Sequence, residues 1–185
     1  MKELSSSKPR PGDLLVASPS MAENLFSRVY LYLHTFSEEG AMGFILNRPL
    51  GQVVHQVAGN SPLPHGLHDL PVTYGGPVQA DQVFLVEFHS NPETNTFHAT
   101  VHPPAELISP PPDGSGTTRW AFMGYAGWSA GQLDDELARE DWTWISADSA
   151  FITPGPETDA WSVISSGDTR WKHFRNHLPI QPERN

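Results

Sequence analysis

The chain predicts an α+β fold in a single domain, and three observations predict it. At 185 residues it is long enough for one sizeable core and too short for two comfortable ones. Eighteen prolines and fifteen glycines imply many turns and little long helix. Short apolar runs that read as strands are separated by only brief helical patterns, which suits irregular α+β architecture better than a helical bundle. Apolar residues make up 38%, and six Trp and nine Phe supply large surfaces to bury.

Residues 1–11, with Ser5-Ser6-Ser7, Pro9 and Pro11, read as a mobile tail, and residues 12–180 as the domain. Leu14-Leu15-Val16-Ala17 reads as a first buried strand, ended by Pro19. Ser20 with Glu23 forms a capping-box pattern, and Met21 and Leu25 give a short helix its apolar pair. Val29 to His34 and Ala41 to Asn47 read as a hairpin with a loop longer than two residues around Glu38-Glu39-Gly40. Pro49 biases Arg48 towards extended backbone, a short helix is expected over 52–57, and the prolines of 59–71 mark a loop. Val72-Thr73-Tyr74 is a strand ending in the turn Gly75-Gly76-Pro77, Val83 to Phe88 is another, and Thr96 to Val101 pairs nearby. After a proline-rich connection, Trp120 to Met123 leads into Gly124-Tyr125-Ala126-Gly127-Trp128-Ser129. There the glycines allow a sharp turn or a close backbone approach, and Ser129 with Gln132 reads as a helix cap. Trp142 to Ile145 closes the body, with a helical turn expected over 159–164 and a last helix over 170–178.

Charge narrows the partners. The net charge is −10, but residues 1–10 carry +2 and residues 170–185 carry +3, leaving −15 between them with only Arg28, Arg48, Arg119 and Arg139 as cations. Such a body repels phosphate backbones and disfavours unaided nucleic-acid binding. The absence of cysteine excludes disulfides, thiolate metal sites and cysteine nucleophiles. Neither a signal peptide nor a membrane span is read, so a cytoplasmic protein is expected.

Gly127-Trp128-Ser129-Ala130-Gly131 fits the GxSxG nucleophile elbow, with Asp148, Asp159, Asp168, His173 and His177 following in hydrolase order. Its competitor is a capping serine between turn glycines, whose hydroxyl is committed to backbone, and capping is the favoured reading. The pairs His65/His68, His98/His102 and His173/His177 have ligand-like spacing, but the last lacks the Glu of HExxH and sits beside Lys172 and Arg175, so no metal is expected. No Walker loop or dinucleotide fingerprint occurs, and no cofactor is expected. Arg48 beside Asn47 is a candidate for a carboxylate ligand, set against pairing with an internal acid. The interleaved cations and aromatics of 170–175 are the one nucleic-acid-like surface, set against a docked terminal helix.

Four blocks in order then carry a resemblance. They are Gly12 to Pro19 with Met21, Gly40 to Pro49, Tyr74 to Val78, and Gly124 to Leu133, followed by Glu136 and Trp142. In these the chain resembles the YqgE/AlgH family of bacterial proteins. The resemblance implies a mixed, partly barrel-like sheet with short flanking helices. Some members carry the label of transcriptional regulator, and none brings catalytic residues to carry over. The family pattern usually has Gly where this chain has Ser129. Around 81–90 and 103–118 this chain departs from it.

Together these readings point to a regulator that acts through a protein partner or small ligand and is not an enzyme. The expected surface combines Asn47, Arg48, Gly75, Gly76, Tyr125, Trp128 and Gln132, because each block sets a turn at a strand end, where loops gather into sites. The alternatives are a serine hydrolase using Ser129 and DNA binding through the basic C-terminal segment.

Overall fold

A computed structural model gives the fold, and the structure describes residues 8–21, 25–59, 65–91, 96–102 and 117–147. The expectations for residues 1–7, Glu23, 60–64, 103–116 and 148–185 lie outside the described residues, the C-terminal helical turn and the last helix among them. Nine strands make one mixed sheet: β1 (Asp13–Ala17), β2 (Tyr30–Ser37), β3 (Gly40–Ile45), β4 (Pro49–Val53), β5 (Pro71–Tyr74), β6 (Val78–Asn91), β7 (Thr96–His102), β8 (Thr117–Ser129) and β9 (Trp142–Ser146). Among the described residues two α-helices accompany them, α1 (Val54–Val57) and α2 (Gln132–Ala138). The strands run in the order β4-β5-β8-β3-β2-β1-β9, with β6 and then β7 added on β8. The sheet is open rather than closed into a barrel. All its pairings are antiparallel except β5 with β8, which is what makes it mixed.

The apolar runs form strands because alternate side chains leave opposite faces, and here both faces are covered. Leu14, Val16, Tyr30, Tyr32, Phe44 and Leu46 enter one core, which Phe84, Val86 and Phe88 of β6 also fill. Leu15, Ala17, Leu31, Leu33 and Ile45 enter a second core on the other face, closed by Leu133 of α2. Burial on both faces explains why these runs are continuous rather than alternating in sequence. A third, smaller core gathers Val54, Val72, Val83 and Ala121 under α1.

The sharp turn expected at Gly124 to Ser129 is not a turn. Gly124 and Gly127 lie inside the long strand β8, which runs straight through the stretch expected to bend. Gly124 has φ +67 and changes which side of the strand faces which core. Before it, Trp120 and Phe122 point to the first core; after it, Ala126 and Trp128 point to the second. The second expectation for these glycines, close approach, is what the structure uses. A Cβ on Gly124 would lie 2.4 Å from the Gly76 oxygen, and one on Gly75 would lie 2.2 Å from the Gly124 oxygen.

Other elements shift for local reasons. The β2–β3 loop is Glu38-Glu39 alone, since Ser37 pairs with Gly40, and the Ser37 hydroxyl accepts the Glu39 N–H. The helix expected over 52–57 starts later, because β4 continues to Val53 on its pairing with Pro71. Pro19 to Met21 forms a single 3-10 turn, and a second covers His65–Leu67 inside the expected loop. β6 begins five residues before the apolar run at Val83, because Val78 pairs with Tyr125 across a register shift. The cap of α2 is Gly131 in the left-handed region, not Ser129. Of the expected tail, Lys8 pairs with Asp134 and the Arg10 N–H binds the Asp13 carboxylate at 2.8 Å.

Candidate functional site

Where β8 ends and α2 begins, one carboxylate collects three donors. Trp128 and Trp142 each donate an indole N–H to Oε2 of Glu136, at 2.8 and 2.7 Å. Gln132 donates to Oε1 at 3.0 Å from one helical turn away. Its own carbonyl accepts the backbone N–H and the hydroxyl of Ser129, both at 3.1 Å. Hydrogen bonds to a charged acceptor contribute about 1.5–3 kcal/mol each, so this carboxylate is a strong local tie. The spacing of Ser129, Gln132 and Glu136 places all three on one side of the helix start.

The same two indoles form an aromatic group with Phe26. Its ring meets Trp142 edge-on at 5.7 Å and stacks on Trp128 at 6.4 Å, while the indoles meet edge-on at 6.0 Å. These are contact separations for aromatic pairs. Trp128 is 6% exposed and Trp142 3%, so the group is a filled corner of the second core.

Phe26 belongs to the 25–29 turn, which Asn47 and Arg48 hold from the other side. Asn47 accepts the Tyr30 N–H at 3.2 Å and donates to the Arg28 carbonyl at 2.7 Å. Arg48 donates to the Ser27 carbonyl and, at 3.4 Å, to that of Asn47. Arg28 sits at φ +54, a conformation that costs energy outside glycine and persists because its neighbours fix it. Leu25, at 51% exposure, stands at one end of this turn, and Leu50, at 38%, stands two residues beyond Arg48. They are the exposed large apolar side chains among the described residues.

The structure therefore brings part of the expected surface together through side chains: Asn47 and Arg48 reach Trp128 and Gln132 by way of the 25–29 turn, Phe26 and Glu136. Gly75 and Gly76 join it through backbone. The Tyr74 N–H binds the Arg48 carbonyl at 2.8 Å, and the Ile45 N–H binds that of Gly75 at 3.0 Å. Both glycines are buried, and a Cβ on Gly76 would lie 2.2 Å from the Tyr125 carbonyl carbon, so their place is the strand crossing. Tyr125 is half-buried with its ring edge-on to Phe84 at 5.6 Å, against the first core. Tyr74 packs against the second core, and burial pushes its phenol up from the ordinary value. Of the expected residues, Asn47, Arg48 and Gln132 keep polar groups at the surface; Trp128 works from beneath. Glu136, Phe26 and Trp142 were not selected from sequence as site residues. The Gln132–Glu136 spacing is a readable signal for the first; Phe26 has none, because its partners lie far along the chain.

Ser129 lies at a strand end, outside the positive-φ region that a nucleophile elbow requires, and its hydroxyl is bound to Gln132. The acids and histidines proposed to serve it lie outside the described residues. The described histidines take other partners. His98 stacks on His89 at 4.8 Å, and His102 pairs at 3.2 Å with Glu87, which is buried and also bound by Arg119 at 2.8 Å. His68 stacks on His55 at 6.2 Å. Among the described residues no three potential ligands converge as a metal site, and no helix is long and apolar enough to cross a membrane.

An α+β domain threaded by one long strand, with a clamped surface turn beside the strand-to-helix junction, is the class of protein this geometry defines. The chain belongs to the AlgH-like family (DUF179), whose profile matches residues 14–167. Among curated relatives, a UPF0301 protein of Azoarcus sp. (strain BH72) is 36% identical over 146 residues, covering 75% of this chain and 78% of the relative. A UPF0301 protein of Stutzerimonas stutzeri (strain A1501) is 38% identical over 150 residues, covering 75% and 77%. The solution structure of the AlgH protein from Pseudomonas aeruginosa superposes with a TM-score of 0.63 at 27% identity, over 88% of this chain and 92% of that one. A crystal structure from Corynebacterium diphtheriae shares the fold, with a TM-score of 0.62 at 24% identity, over 85% and 86%.

Proposed function

We propose that this protein is a non-enzymatic cytoplasmic regulator that works by binding a protein partner on the 25–29 turn and the 47–50 segment. One observation carries the reading: a continuous set of side chains, from Gln132 through Glu136, the indoles and Phe26 to Asn47 and Arg48, fixes a surface turn beside two exposed leucines. The indole, carboxylate and amide groups of this set are hydrogen-bonded while the two leucines are left in water, which is the converse of what stability alone favours. A rigid scaffold presenting a loop is a common way to build a binding surface, because little ordering remains to be done on association. The acidic body argues for protein rather than nucleic acid as the partner. The regulatory role is what the family resemblance adds.

The test is affinity capture from bacterial lysate with and without nuclease, using the parent and a Leu25→Glu/Leu50→Glu variant matched in circular dichroism. A protein retained after nuclease by the parent and lost by the variant is the expected result. Equal retention by both removes the surface. Retention that vanishes with nuclease replaces the reading with nucleic-acid binding through the C-terminal segment.

A further inference from the structure

The four cations of the acidic body are not used alike. Arg119 is spent on Glu87 at 2.8 Å, and Arg139 on Asp141 at 2.9 Å. Arg28 also has an interaction of its own. Arg48 is different: its guanidinium donates to two backbone carbonyls, and it pairs with no carboxylate among the described residues. Carbonyl dipoles orient a guanidinium without cancelling its charge. A guanidinium has five N–H donors. With two of them engaged, Arg48 holds the others in a fixed plane, half-buried, on a molecule of net charge −10. The internal-acid alternative weighed for this residue is thus not met among the described residues.

We propose that Arg48 reads a carboxylate of the partner, and that the bound segment carries Asp or Glu next to Leu, Ile or Phe. This rests on the partner-surface reading above and gives it a chemistry. A planar guanidinium binds a carboxylate with two parallel bonds, and anchoring by the Ser27 and Asn47 carbonyls lowers the ordering cost of doing so. Leu25 and Leu50 stand exposed on the two segments that Arg48 ties together, so a bound segment that combines an acidic with apolar side chains complements what these segments present. The acidic body elsewhere repels such a segment and so confines it to this place.

A selection of phage-displayed random dodecapeptides on the full chain tests both levels. The expected peptides combine an acidic residue with Leu, Ile or Phe and are lost on the Leu25→Glu/Leu50→Glu variant. For the best binder, changing its acid to the amide is expected to weaken binding to the parent about tenfold, equivalent to 1.4 kcal/mol. The same change should scarcely alter binding to an Arg48→Gln variant matched to the parent in circular dichroism, which makes the comparison a double-mutant cycle for the pair. Peptides that bind this face without acidic enrichment, or an amide change felt equally by both proteins, overturn the carboxylate assignment and leave the surface standing. Peptides indifferent to Leu25 and Leu50 overturn the surface reading itself.

Discussion

Glu136 is the residue on which the candidate site depends, because its carboxylate is the shared acceptor of two indoles that are themselves core. Leaving a buried donor without a partner costs about 1–3 kcal/mol. Glu136→Ala strands both indole N–H groups and is expected to lose about 2–4 kcal/mol in urea denaturation, whereas Glu136→Gln keeps an acceptor oxygen and should lose about 1 kcal/mol. An alanine variant as stable as the parent would mean that water replaces the carboxylate and that the tie is weak. Ser129 is the contrasting case. Its exposed hydroxyl gives up one bond to Gln132, so Ser129→Ala should stay within about 0.5 kcal/mol of the parent. A fluorophosphonate probe is expected to leave the native chain unlabelled; labelling that disappears in Ser129→Ala would restore the hydrolase alternative.

At the scale of elements, the central device is the passage of β8 beside the Gly75-Gly76 corner. Gly124→Ala meets both a left-handed backbone and a Cβ only 2.4 Å from the Gly76 oxygen. Gly131, at the cap of α2, shares the left-handed backbone at φ +76 but has open space around it. Gly131→Ala therefore measures backbone strain alone, about 1 kcal/mol, while Gly124→Ala is expected to cost more than about 3 kcal/mol or to prevent folding. Equal losses would remove the crossing as the reason for the glycine. This same element shows what the sequence makes legible. The apolar runs announce strands because both cores demand them, and Gly124 announces special backbone. A glycine does not distinguish a chain that turns from a strand that continues past another backbone, so the turn reading was available and wrong. The site was half legible for a related reason. Asn47, Arg48 and Gln132 stand out as polar residues at element ends, but their link runs through Phe26 and Trp142, whose meeting is set by tertiary packing and leaves no local pattern. Ser129 matches the capping box in composition and Gln132 does reach back to its N–H, yet the helix begins later, after Gly131 at φ +76.

For the whole molecule, packing around the first core places ionisable groups where charge is costly, and pH should report on Tyr32 and His34. Tyr32 is 2% exposed, with its ring edge-on to Phe88 at 4.9 Å. Burial pushes its phenol up to about 12, opposed by a hydrogen bond with the Ala99 backbone and aided by the charge of Asp13. The folded chain thus holds this proton more tightly than the unfolded chain, whose tyrosine titrates near 10. The associated stability is complete below pH 10 and is lost between pH 10 and about 12, up to about 3 kcal/mol at 1.36 kcal/mol per unit. His34 works from the acid side. Burial lowers its value below the usual 6.5, so its contribution is complete above pH 6.5 and declines as the pH falls through the folded value. The expected profile is a plateau near neutrality with both shoulders falling. Other tyrosines and lysines also titrate in alkali, so the decisive quantity is the difference between the parent and Tyr32→Phe in urea midpoint from pH 7 to pH 12. The parent should lose stability relative to the variant once the pH passes 10. Curves that stay parallel across that range would show that the phenol ionises as readily folded as unfolded, and that the first core is open to water at Tyr32.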